Sequence, residues 1–459
     1  MLIGTTEEMT WWGDSMKSVL YVRNEMLPER SPPLSSIGVI GWAKKNLFQG
    51  WLNSTLTLIA LFLIYSILSN IVPWLLSPTW KASSLNECRE INNAIKGGGG
   101  ACWGVITERW PQFIFGFYTR DQIWRPVLVF VFLLITIAPV LIDRLPRKLL
   151  VLLVIFPFVA VWLLWGGSIW PQFCSFLGLF IGYYTWRSLK AGADRQIKES
   201  KLSLLTKHPF IPILLAIVVP ILWWFFLAPA VAGILTDIFP LALQELPSRN
   251  FGGLLLSLTI GVTAIFFSLP IGVLLALGRQ SNLLIVKVLC VWFIEFIRGV
   301  PLITLLFVAS TLLNIFMPPG TNFDIILRVI IMVTLFSAAY LAEVVRGGLA
   351  GLDSGQYEGA NALGFSYWQA QRLIIMPQAL KISIPGIVST FIGIFKDTTL
   401  VSVIGLMDPI GLTGAIRADM AWNGVYWEIN IFIALLFFVF CFSMSRYSMY
   451  LEQKLQKKN

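Results

Sequence analysis

The residues of this chain best placed to do chemistry are charged side chains set inside apolar runs. Each costs several kcal/mol at membrane depth unless it is paired or wetted, so each needs a reason to be there. Glu295 and Arg298 stand three apart, on one face of a helix, just before Gly299-Val300-Pro301. Pro301 removes a helix hydrogen bond, so the freed backbone must be satisfied by protein or must line a cavity. Arg298 could take a carboxylate by a bidentate bond and Glu295 an ammonium. Equally, the two could satisfy each other and pin the break. Lys396, Asp397, Thr398 and Thr399 form a second polar group, suited either to lining a passage or to bonding another subunit. Glu343 and Arg346, also three apart, read as a structural ion pair near the end of a span.

Several other chemistries are excluded. A single histidine, His208, leaves no triad, no histidine metal site and no histidine proton relay. The five cysteines show neither CxxC nor zinc spacing. No glycine-rich loop ends in Gly-Lys-Ser/Thr, because the run Gly97–Gly100 follows a lysine and precedes Ala101. If a nucleotide drives this protein, another chain binds it.

The elements that must position these groups are membrane spans. The 459 residues are 57% hydrophobic and 13% charged, against roughly 45–50% apolar in soluble domains. Apolar runs of about 20 residues recur, which predicts an all-α polytopic membrane protein. About ten spans are expected: Leu52–Leu76, Pro126–Ile142, Leu149–Trp165, Trp170–Trp186, Ile211–Leu235, Phe251–Gly278, a seventh from Leu284 broken at Arg298–Pro301, Ile325–Val345, Leu380–Ile404 and Val425–Phe442. The formal net charge is +10, but the basic residues gather in loops between spans. The positive-inside bias explains that placement better than nucleic acid does. Alternating the spans puts the polar segment 1–50, the basic loop 187–208 and the C-terminal tail in the cytoplasm, and a hydrophilic stretch, 77–125, outside. The basic loop is read as solvated near anionic lipid. Most of the 19 tryptophans fall near span ends, as interface anchors do.

One stretch between spans is polar and built to be gripped. Asp353 and Ser354 can cap a short helix. Tyr357, Ala360, Asn361 and Leu363 then fall at helical spacing, and Gly364 supplies a stop. The bare Ala/Leu/Gly stripe suits insertion into a cleft on a partner. Glu358-Gly359-Ala360, Leu363-Gly364, Ile374 and Pro377 resemble the coupling loop of ABC importer permeases, written EAA…G…I.LP, with Gly359 in place of the usual Ala and Met376 in place of Leu.

Three further stretches resemble polar amino acid permeases of that superfamily: Glu295 to Leu302, Ala342 to Gly348, and Phe395 to Leu400. The first span, the Cys88 and Ala101-Cys102-Trp103 region, Gln112 to Tyr118 and Arg144 to Lys148 resemble the larger permease of general L-amino acid importers. Residues 167–247 look longer than in that group. The resemblance implies a five-helix permease core over 249–452, a coupling loop over 353–377 and accessory spans over 51–248. It implies that Gln356, Tyr357, Glu358, Gly359, Ala360, Leu363 and Gly364 meet an ATPase. It also implies that Glu295, Arg298, Lys396, Asp397, Thr398 and Thr399 face an amino acid. The expected partners are two ABC ATPase subunits, a sister permease, an external amino acid-binding protein and the bilayer, with no nucleic acid. ATP and Mg²⁺ belong to the ATPase chains, and no cofactor or metal to this one. Cys88 and Cys102 fall on the oxidising side, where a disulfide is one of two open readings. An ion-coupled carrier acting alone, or a structural half whose sister holds the substrate, are the alternatives.

Overall fold

The computed structural model describes residues 38–96, 99–142, 144–194, 210–316 and 323–456. The first 37 residues and most of the basic loop 187–208 lie outside the described residues. The chain forms two compact units, ending and beginning at Ser77 and Pro78. In the first, α1 (Gly38–Asn46) leads to α2 (Trp51–Leu76). The hydroxyl of Thr57 on α2 donates to the carbonyl of Leu47 at the bend between them. α2 is a 26-residue apolar helix, long enough to cross a bilayer.

The second unit opens with two helices where the sequence reading placed only a hydrophilic stretch. α3 (Leu85–Lys96) and α4 (Gly104–Phe115) are joined by a Cys88–Cys102 disulfide, with Cα atoms 6.0 Å apart. α3 escapes a hydropathy reading because it is strongly amphipathic and polar on average. α5 (Trp124–Leu141) and α6 (Leu152–Trp165) make the hairpin expected there. α7 (Trp170–Asp194) packs on α8 (Phe210–Leu222), and a π-helical turn, Trp223–Leu227, leads into α9 (Ala228–Ile238). A two-stranded antiparallel pair, β1 (Gly167–Ser168) with β2 (Ala242–Leu243), ties the ends of this group together. Gly182 lets α7 approach Pro220 closely, since a Cβ there would sit 2.7 Å from the ring.

The C-terminal half carries the main core. α10 (Gly253–Arg279) packs along α13 (Ile325–Ala350), with Gly272 so close that a Cβ would lie 2.8 Å from that of Leu341. Between them, α11 (Leu284–Gly299) and α12 (Leu302–Phe316) bend by 99° at Val300-Pro301, as the proline required. α14 (Ser354–Ala362) and α15 (Tyr367–Ala370) follow. A π-helical turn, Gln371–Ile375, then enters α16 (Met376–Asp397). The ninth span therefore begins at Tyr367 rather than near Leu380. The widened turn absorbs Pro377, whose ring and missing N–H would disrupt an ordinary α-turn. α17 (Pro409–Ala418) and α18 (Trp427–Gln456) complete the chain.

Among the described residues eight helices, or nine with the bent pair counted as one, are long and apolar enough to cross a membrane. The remaining expected span is α7. It is 25 residues long, but Trp170-Pro171-Gln172 at one end and Tyr183 to Arg187 at the other dilute its apolar middle.

Candidate functional site

The short helix α14 forms as its sequence dictates. The Asp353 carboxylate accepts the N–H of Gly355 at 3.1 Å, capping the first turn. Gly364 closes the helix at φ +73°, a left-handed conformation that favours glycine. A capping box follows, in which Ser366 takes the Gln369 backbone N–H and the Gln369 side chain accepts from Ser366 N at 2.9 Å. The helix is stitched to the next span by Gln378 Nε2, which donates to Gln356 Oε1 at 2.9 Å.

The presented stripe differs from the expectation in one respect. Ala360 is 1% exposed and Tyr357 half-buried, so neither is bare. Tyr357 packs on a cluster containing Ile294, Ala342, Val345, Leu349, Ile375 and Ala379. Burial pushes the Tyr357 phenol up, and neighbouring Tyr367 adds to the effect. The free face is instead Gln356, Glu358, Gly359, Leu363 and Gly364, with Trp368 beyond. One side of α14 thus packs on the core cluster and the start of the following span while the other stands open.

Behind this helix lies a charge cluster that the sequence showed only in parts. Glu295 and Arg298 do not satisfy each other. Glu295 accepts from Arg279, the last residue of α10, at 2.9 Å. Arg298 turns to Glu343 at 3.8 Å and lies over the Tyr340 ring, 5.5 Å from its centroid. Glu343 and Arg346 do pair, at 2.9 Å. Arg279 also comes within 2.7 Å of Glu343 Oε1, as an ion pair whose N–H direction misses hydrogen-bond geometry. Glu343, with its side chain 15% exposed, is therefore shared by guanidiniums from α10, α11 and α13. Arg279 and Tyr340 were missed because an arginine ending a span reads as a topology marker, and a tyrosine within one as packing.

The Lys396–Thr399 group is elsewhere. Phe395 and Thr398 come to Gly261 of α10, where a Cβ would lie 3.5 Å from each. Gly261 is eighteen residues from Arg279 on the same helix, about 27 Å at the α-helical rise. One amino acid cannot touch both groups. Thr398 is fully buried and its hydroxyl donates to the Phe395 carbonyl, while Thr399 donates to that of Lys396. Lys396 is exposed and Asp397 half-buried.

The end opposite α14 is closed by backbone contacts. Gly116 bridges to Phe251, Gly252 to Met407, and the Gly253 N–H donates to the Met407 carbonyl at 2.7 Å. Glu108 accepts from the buried Trp422 indole at 2.7 Å, Glu428 accepts from Cys102 N at 2.9 Å, and Arg109 pairs with Asp419. Asp408 is fully buried and caps α17, accepting from Gly411 N at 2.9 Å and Ile410 N at 3.1 Å. Among the described residues no cluster of histidine, cysteine and carboxylate groups could hold a metal ion.

Comparison with known proteins places this arrangement in context. Residues 268–457 match the family described as the binding-protein-dependent transport system inner membrane component. A glutamate/glutamine/aspartate/asparagine transport system permease protein of Rhodobacter capsulatus is 54% identical over 445 residues, covering 96% of this chain and 99% of that protein. An inner membrane amino-acid ABC transporter permease of Escherichia coli K12 is 38% identical, covering 93% of this chain and 96% of its own. A crystal structure of an amino acid ABC transporter with histidines aligns at a TM-score of 0.40 and 30% identity, over 43% of this chain and 90% of that one.

Proposed function

Because the chain belongs to the family of amino-acid ABC transporter permeases, we propose that it imports acidic amino acids and their amides with energy from separate ATPase subunits. Two such subunits grip the coupling helices from the cytoplasm, one of them α14, and ATP and Mg²⁺ are held on the ATPase chains. A sister permease completes the passage, and an external binding protein delivers the substrate to the end built from α3, α4 and α17. Both termini then lie in the cytoplasm and the Cys88–Cys102 disulfide outside. The substrate class is taken from what the Rhodobacter capsulatus relative is named for.

The observation that carries this reading is the two-sided coupling helix. Tyr357 packs α14 on the core and Ala360 is buried beside it, while Glu358, Gly359, Leu363 and Gly364 are exposed to a partner, as is Gln356 beyond its bond to Gln378. A push on the open side is transmitted as a rigid-body shift, because packed cores move between discrete arrangements. The test is ATP hydrolysis by the purified assembly with its binding protein, screened against amino acids. Glutamate, glutamine, aspartate and asparagine are expected to stimulate it, and a lysine- or leucine-only response would contradict the proposed class.

A second reading is favoured by the ion pairs. Glu295 and Arg298 are already engaged by Arg279 and Glu343, which suits a structural role for them and leaves Lys396, Asp397 and Thr399 nearer the entrance. Arg298→Ala and Asp397→Ala separate the two. Transport lost in the Asp397 variant alone, with assembly intact, assigns substrate contact to the Lys396–Thr399 group.

A further inference from the structure

Three helix ends meet at one carboxylate directly behind the coupling helix. Arg279 is the terminal residue of α10, Arg298 the last charged residue before the elbow of α11, and Arg346 sits one turn along α13 from Glu343 itself. Their contacts to Glu343 measure 2.7, 3.8 and 2.9 Å. Among the described residues the other carboxylate of the cluster, Glu295, reaches Arg279. Three guanidiniums thus share two carboxylates, and removing Glu343 leaves Arg298 and Arg346 without the acid they share.

The position of Glu343 matters as much as its partners. It lies seven residues before the end of α13 at Ala350, about 10 Å along the axis. The turns between, with Val345 and Leu349, are buried against Tyr357, Ile375 and Ala379. Gly348 lets α16 approach so closely that a Cβ would collide with the Ser383 hydroxyl. This end of α13, the start of α16 and Tyr357 of α14 thus share one packed cluster. Two of the guanidiniums come from helices that also enter this cluster, α10 through Ala276 and Leu277 and α11 through Ile294; α10 is held at its far end beside Met407, and α11 ends in the 99° elbow.

We propose that Glu343 is a positioning residue for coupling, the joint through which displacement of α14 and the end of α13 is passed to α10 and to the α11–α12 elbow. It touches neither nucleotide nor substrate. Arg279 and Arg298 are the receiving side of the joint, and the loose Arg298 contact, backed by the Tyr340 ring, is the one that gives when α13 shifts. The proposal rests on α14 being the site where the ATPases act.

The test uses the complete assembly in proteoliposomes, with ATP hydrolysis followed with and without amino acid-loaded binding protein, alongside uptake. In Glu343→Gln, hydrolysis without binding protein persists while its stimulation and uptake fall roughly tenfold, a loss in the range of coupling contacts. Glu343→Asp, which keeps the charge, recovers much of both. Stimulation retained in Glu343→Gln overturns the proposal. So does an assembly that falls apart in Glu343→Gln and is not recovered by Glu343→Asp, which would make the residue merely structural. Wild-type hydrolysis indifferent to every loaded binding protein would instead remove the transporter reading beneath it.

Discussion

At the scale of single residues, the charges behave as a network rather than as pairs. Removing the Glu343 carboxylate strands Arg298 and Arg346 and leaves Arg279 with Glu295 alone. Glu343→Gln is expected to cost about 2 kcal/mol in thermal unfolding, below the 3–5 of a fully buried pair because water reaches the cluster. Arg346→Gln, whose side chain is the most exposed of the three, should cost under about 1 kcal/mol. Asp408 supplies a different test. Burial raises its carboxyl to about 6 despite the amide hydrogen bonds that pull the other way. Since that lies above the unfolded value, its contribution to stability is full below about pH 4 and is lost as pH rises through 6. Asp408→Asn keeps a cap acceptor and cannot titrate. The wild-type melting temperature should therefore fall relative to that variant between about pH 4 and 6. A constant difference would show that the carboxyl titrates normally.

At the scale of elements, the coupling helix can be tuned without touching its surroundings. A Cβ at Gly359 meets nothing within 4 Å, so Gly359→Ala should stabilise α14 by up to about 1 kcal/mol. Gly364→Ala should weaken it by about 1 kcal/mol, because φ is +73° there. Amide exchange across 354–362 should slow in the first variant and quicken in the second. The caps, the stop at Gly364 and the elbow at Pro301 were legible in the sequence because each is a local backbone effect. The pairing of Glu295 with Arg279 was not, since it depends on how α10 and α11 cross. Nor was the inward turn of Ala360. Helical spacing says which residues share a face, but not which face the core takes. α3 stayed hidden because its polar face outweighs its apolar one in any average.

At the scale of the whole molecule, the second unit has two distinct working ends. One carries α14 with the Glu343 cluster; the other carries the α3–α4 pair, α17 and the Lys396–Thr399 group. Composition and periodicity revealed the helical class and most of the spans, because hydropathy is additive along the chain. The distance between the two polar groups could not be read that way, since both look equally like charges within apolar runs. The most direct check on the central claim is a photo-crosslinking residue at Leu363, on the open side of α14, with a second at Met420 near the other end. An ATPase subunit captured from Leu363 and not from Met420 is the predicted result. Capture of the ATPase from Met420, or of none from Leu363 in an active transporter, would contradict it.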